Sequence, residues 1–186
     1  IQRPVSRSNL EYMGDLVRPS ELRRDLERVR RVTVDLFDTL TDATVHQALP
    51  GHDWSPFMVW RHLELVDQSV LHVLKRLEGK VGADRAVAPD RVQVSFSRET
   101  LVRDALSLQS LPNVTPGDTS GEPFLMVPFL TEVRMELLDL ADRAAVLDYS
   151  GVTFPHQALG PLDTYSWLVF LVDHERSHHQ QLMQPA

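Results

Sequence analysis

The chain has 186 residues, a formal net charge of −7, an apolar fraction of 42% and no cysteine. That length carries one domain with a sizeable core, the composition excludes a fibrous or disordered polypeptide, and the acidic balance opposes nucleic-acid binding, which needs concentrated Lys and Arg. Without cysteine there are no disulfides, thiolate nucleophiles or thiolate metal sites, so any metal must be held by nitrogen or oxygen.

From Ser20, a good N-cap residue, Leu22, Leu26, Val29, Val32, Leu36 and Leu40 recur at three- and four-residue spacing and predict a long amphipathic helix. Its basic run from Arg23 to Arg31 is interleaved with Asp25 and Glu27 and reads as a solvated helix face. A polar connection over 41–53 leads into Trp54-Ser55-Pro56, where Ser55 can cap and Pro56 suits the first turn of a second helix reaching about Leu77. Residues 79–94 carry glycines, a proline and scattered charge, and read as a loop. Ser97 can cap a shorter helix along Leu101, Ala105 and Leu108 that ends before Pro112. The Pro-, Gly- and Ser-rich stretch 113–123 is a second loop, suited to border a pocket.

Another helix is predicted within 124–147, restricted by Pro128 to the residues after it, with Val133, Leu137, Leu140, Ala141 and Ala144 facing inward. After a loop over 149–160, a final helix begins near Pro161 or Asp163 and runs to Leu182. Four principal helices with one apolar stripe each, and little strand signal, predict an all-α fold: a four-helix bundle with an extra short helix and long loops, in one domain spanning 1–186. No apolar run approaches membrane-spanning length and no secretory leader is evident, so no membrane partner and a cytoplasmic location are expected.

Two imidazoles interrupt the core stripe of the last helix. Trp167, Phe170, Leu171, His174, His178, Gln181 and Leu182 share roughly one face, and His62 likewise stands among Val59, Leu65, Val66 and Val73 in the second helix. Imidazole is the commonest protein ligand for a divalent transition metal, and an i, i+4 pair can present two nitrogens to one ion, with a third coming from a facing helix. His62, His174 and His178 are therefore the candidate metal ligands, in an arrangement that leaves a coordination position open. His179 lies on another face and reads as exposed. His46, His52, His72 and His156 are assigned no role.

His174-Glu175-Arg176-Ser177-His178 also fits the H-E-x-x-H pattern of zinc proteases. The short stretch after His178 does not supply the downstream third ligand of those enzymes, which places that ligand upstream and opposes a protease. Glu175 remains a candidate general base or an outer partner of the site, with a solvated helical carboxylate as the plain alternative. Gln181, one turn beyond His178, is a candidate for orienting a ligand, or simply a polar helix-end residue.

Trp54-Ser55-Pro56 ahead of His62-Leu63, followed by Gly160-Pro161-Leu162 ahead of Trp167, His174-Glu175, His178 and Gln181-Leu182, resembles the DinB-like superfamily across almost the whole chain. The resemblance implies an up-down-down-up four-helix bundle with a divalent ion, zinc or nickel, on His62, His174 and His178. It further implies a homodimer and relatives that transfer low-molecular-weight thiols such as bacillithiol or mycothiol. The expectation is a metal-dependent thiol S-transferase or hydrolase acting on a small-molecule substrate. The alternative is a non-catalytic, metal-dependent ligand-binding or stress-response protein.

Overall fold

The computed structural model describes residues 14–104, 112–117 and 128–183. Its long helices are α1 (Leu22–Phe37), α3 (Pro56–Glu78), α5 (Glu132–Val146) and α6 (Thr164–Leu182), joined by the short helices α2 (Asp42–Val45) and α4 (Arg98–Asp104). Two small antiparallel ribbons, β1 (Leu16–Val17) with β2 (Val92–Gln93) and β3 (Phe154–His156) with β4 (Gly160–Leu162), accompany the 3-10 turns Pro19–Glu21 and Pro112–Val114. The chain is thus mostly helical, as expected. No described helix is long and apolar enough to cross a membrane.

The helix starts follow local chemistry. Ser55 accepts the amide of Met58 at 3.3 Å with Pro56 in the first turn of α3, Thr131 caps α5 through the amide of Arg134, and Asp163 caps α6 through the amide of Ser166. Each long helix of the bundle has two principal neighbours, for α1 and α3 both pack against α5 and α6. Arg23 early in α1 pairs with Asp142 late in α5, and Arg31 lies over Phe129 just ahead of α5, so those two helices run in opposite directions. Leu182 at the end of α6 packs near Val34 and Phe37 late in α1, and near Trp54 and Val59 at the start of α3. The interior between the helices is filled by Leu26, Leu74, Leu137, Ala141, Tyr165 and Leu168, all shielded from solvent.

Several expectations are corrected. Ser20 does not cap α1: residues Pro19–Glu21 form a 3-10 turn, and no side chain caps the helix that follows. The inward stripe of α1 is Leu22, Leu26, Val29, Arg30, Thr33 and Phe37, whereas Val32 is exposed and the helix ends before Leu40. The stretch read as a loop over 149–160 contains β3. Gly160, at φ +76°, makes the tight return into β4 that the left-handed region permits, and the prolines at 155 and 161 hide the strand signal in the sequence. Ala105, Leu108 and residues 118–127 lie outside the described residues.

Arg30 also departs from the solvated face assigned to its basic run. It is 1% exposed and belongs to a charge cluster with one member from each long helix: Arg30 of α1, Asp67 of α3, Arg134 of α5 and Glu175 of α6. Arg30 Nη2 donates to Asp67 Oδ2 at 2.9 Å and its Nε lies 2.8 Å from Glu175 Oε1. Arg134 bridges the same two carboxylates, donating to Asp67 Oδ1 at 3.0 Å and Glu175 Oε2 at 2.9 Å, and its Nη2 also reaches the carbonyl of Leu26 at 2.9 Å. Two positive and two negative groups balance, so no net charge is buried. Arg134→Met would leave both carboxylates short of a partner and is expected to cost about 3–5 kcal/mol by urea denaturation. Lys75→Ala, which removes an exposed pairing with Glu136, should cost under about 1 kcal/mol. Equal losses would contradict this account of the cluster.

Candidate metal centre

One face of α6 carries Trp167, Phe170, His174 and His178, and α3 brings His62 opposite it. One nitrogen from each of His62, His174 and His178 lies within 4.8 Å of the other two, with His62 and His178 buried and His174 partly open. His62 Nε2 and His174 Nε2 are 3.2 Å apart. Two nitrogens bound to one tetrahedral ion at usual bond lengths stand about 3.3 Å from each other, so the pair is spaced as ligands of a common ion would be.

The hydrogen bonds behind two of the rings determine which nitrogen faces inward. His62 Nδ1 donates to the carbonyl of Val114 at 2.6 Å, which leaves the lone pair on Nε2. His178 Nδ1 lies 2.9 Å from Gln181 Oε1, an acceptor that holds the proton on Nδ1 and again frees Nε2. The rings are wedged by aromatic neighbours: Trp54 sits 5.0 Å from His62 between centroids, and Phe170 stacks on His174 at 5.2 Å. The lone pairs of His62 and His178 therefore point inward toward His174, whose single ring proton cannot satisfy both, an arrangement that a cation relieves. The donor set of neutral imidazoles fits a divalent transition ion.

Burial pushes all three imidazoles below their ordinary pKa. His62 falls despite its bond to Val114, and His174 falls well below 6.5 through burial and then the neighbouring His178 and His62. His178 falls to about 4, through burial and then His62. At neutral pH the group is uncharged and ready to ligate.

Of the other residues proposed from sequence, Gln181 is 4% exposed and lies beside His178, whereas Glu175 is turned into the four-helix charge cluster. Its oxygens are taken by Arg30, Arg134 and the hydroxyl of Thr33, which donates to Oε1 at 2.6 Å. Burial alone would raise its pKa, but Arg134 and Arg30 outweigh that and hold the carboxyl at about 2, too acidic to accept a proton as a general base. Nor is it a solvated carboxylate, being 2% exposed. His179, expected at the surface, is buried and its Nε2 lies 2.9 Å from Thr33 Oγ1. Sequence reasoning missed Val114, because a backbone carbonyl carries no residue signature. It also missed His156, whose ring lies 4.8 Å from Phe170 and 5.4 Å from Trp167.

A sequence model of the DinB superfamily matches residues 25–182, a span holding every residue named at the site. No curated protein and no solved structure matches the chain.

The imidazole shifts give a pH prediction for the metal-free protein. Because His178 titrates near 4 when folded and near 6.5 when unfolded, the unfolded chain binds more protons between those values. Stability should therefore fall as pH drops from about 6.5 to about 4, by about 3 kcal/mol for this residue. Urea midpoints across that range should show a shallower fall in His178→Gln than in the natural chain, and parallel curves would contradict the assignment.

Proposed function

The chain belongs to the DinB superfamily, and on that premise we propose that it binds a divalent transition metal through His62, His174 and His178 and uses it in thiol transfer on a small molecule. The observation that carries this reading is the convergence of three imidazole nitrogens within 4.8 Å, two of them freed by an oxygen acceptor behind the ring. Zinc or nickel suits such a nitrogen donor set. A divalent ion held there supplies Lewis-acid chemistry, lowering the pKa of a thiol or water so that a nucleophile exists at neutral pH.

The surroundings favour thiol transfer over hydrolysis. The described partners of the three rings are Trp54, Phe170, Gln181 and the Val114 carbonyl, none of which is a base. The two carboxylates that flank His174 in sequence are both committed, Glu175 to Arg30 and Arg134, and Asp173 to Arg98 and Arg176. A thiol is acidic enough to lose its proton to solvent once its sulfur is stabilised, whereas activating water more often calls on a positioned base. His62 and His178 act as ligands whose orientation is held by Val114 and Gln181, while Trp54 packs on His62 and Phe170 covers one face of the partly open His174.

Elemental analysis after reconstitution tests the centre first. About one equivalent of zinc or nickel per chain is expected, falling at least about a hundredfold in affinity in His174→Ala, while less than about a tenth of an equivalent in the natural chain would defeat the reading. The loaded protein should then transfer a low-molecular-weight thiol to an electrophilic acceptor, with turnover lost in His174→Ala. A loaded protein inert to thiols would point to ligand binding without catalysis.

A further inference from the structure

The β3–β4 hairpin lies over the same aromatic face of α6 that continues into the three-histidine group. His156 ends β3, opposite Gly160, and its ring rests against Trp167 and Phe170, with Phe170 in turn stacked on His174. Only one ring separates His156 from a proposed ligand.

Its tautomer is fixed by the hairpin. The backbone amides of Ala158 and Leu159 both donate to His156 Nδ1, each at 3.2 Å, so Nδ1 carries the lone pair and the proton of the neutral ring is on Nε2. Burial favours that neutral form. The hydrogen bonds of the half-buried His156 ring among the described residues all end on Nδ1, which leaves Nε2 without one, and the indole N–H of the adjacent Trp167 is buried without an acceptor. This cluster of rings offers donors and lacks acceptor atoms. A ring whose proton is on Nε2 and whose Nδ1 is occupied can donate a hydrogen bond there, but it cannot take up a proton as a base.

We infer that His156 is a specificity residue for the ligand of the three-histidine centre: its Nε2–H donates to an oxygen acceptor, a carboxylate, carried by a small thiol whose sulfur occupies the metal. The inference rests on the proposed metal centre and names the substrate class that it takes. A carboxylate is the acceptor that gains most from a fixed N–H, because the bond is charge-assisted. The molecule recognised is thus bifunctional, with a soft sulfur at one end and an anionic oxygen group at the other. The hairpin measures the distance between them.

The test uses cobalt-loaded protein and two thiols of equal chain length, 3-mercaptopropionate and 1-propanethiol, with the sulfur-to-cobalt charge-transfer band as the readout. Two substitutions separate the halves of the imidazole. His156→Asn keeps an oxygen where Nδ1 stood, able to hold the amides of Ala158 and Leu159, but its amide nitrogen falls short of the Nε2 position. His156→Gln keeps an N–H near that position and gives up the contact to the hairpin amides. The natural protein should prefer the carboxylate thiol by at least about tenfold, His156→Asn should lose that preference with propanethiol affinity unchanged, and His156→Gln should keep most of it. Absence of the preference in the natural protein, or its survival in His156→Asn, overturns the inference while leaving the metal centre standing. Equal loss in both variants also overturns it, assigning His156 to hairpin structure alone. Failure to bind cobalt at all defeats the three-histidine reading itself, and this inference with it.

Discussion

Four side chains at the middle of the bundle set the relation between its helices. Arg30, Asp67, Arg134 and Glu175 come one from each long helix, and each guanidinium touches both carboxylates. Apolar packing alone tolerates a helix rotated by a fraction of a turn, because one leucine serves nearly as well as its neighbour. A buried charge does not, since leaving it unpaired costs several kcal/mol. The cluster therefore selects one rotation and one axial register for all four helices. Arg30 is further confined by Trp60, whose ring lies 4.8 Å beneath its guanidinium.

The consequence for the site follows from position in sequence. Glu175 sits between His174 and His178, so the anchor of α6 and its two imidazoles lie within one helical turn. On the other side of the helix, Asp173 accepts two bonds from Arg98 of α4, at 2.6 and 2.9 Å. Consecutive residues thus point at three different neighbours. Rotating α6 to move the imidazoles would break a salt bridge in either direction, and the ligand geometry inherits its precision from those contacts rather than from the imidazoles themselves.

What the sequence showed and concealed divides along the same line. The i, i+4 spacing of His174 and His178 is local and was legible, and so was the cap-and-proline start of α3 that sets His62 on its face. Glu175 and Arg30 read as solvated in the sequence because their partners lie 37 to 145 positions away, and a charge looks solvated until its counterpart is known. His179 reads as exposed in the sequence because a residue off the apolar face meets water only where a helix has one wet side. α6 is buried on nearly all sides from Thr164 to His179, lying against α1, α3 and α4, so a residue off the histidine face still meets protein and not water. The β3–β4 hairpin escaped notice because its prolines are poor strand formers, although both lie in a three-residue ribbon.

The bond that orients His62 ends on a main-chain oxygen, that of Val114 in the 3-10 turn Pro112–Val114. Every amino acid supplies that oxygen. Pro112 and Asn113 are exposed, but Asn113 donates to Ser69 Oγ of α3 at 3.2 Å and helps to hold the turn in place, so Pro112 is the position at which the turn can change without disturbing the imidazole. What it cannot absorb is a change in length, because an inserted or deleted residue would carry the carbonyl away from the ring. Drift in this segment should therefore be strict in spacing and, away from Asn113, permissive in composition, the reverse of the pattern imposed where a side chain holds the ligand.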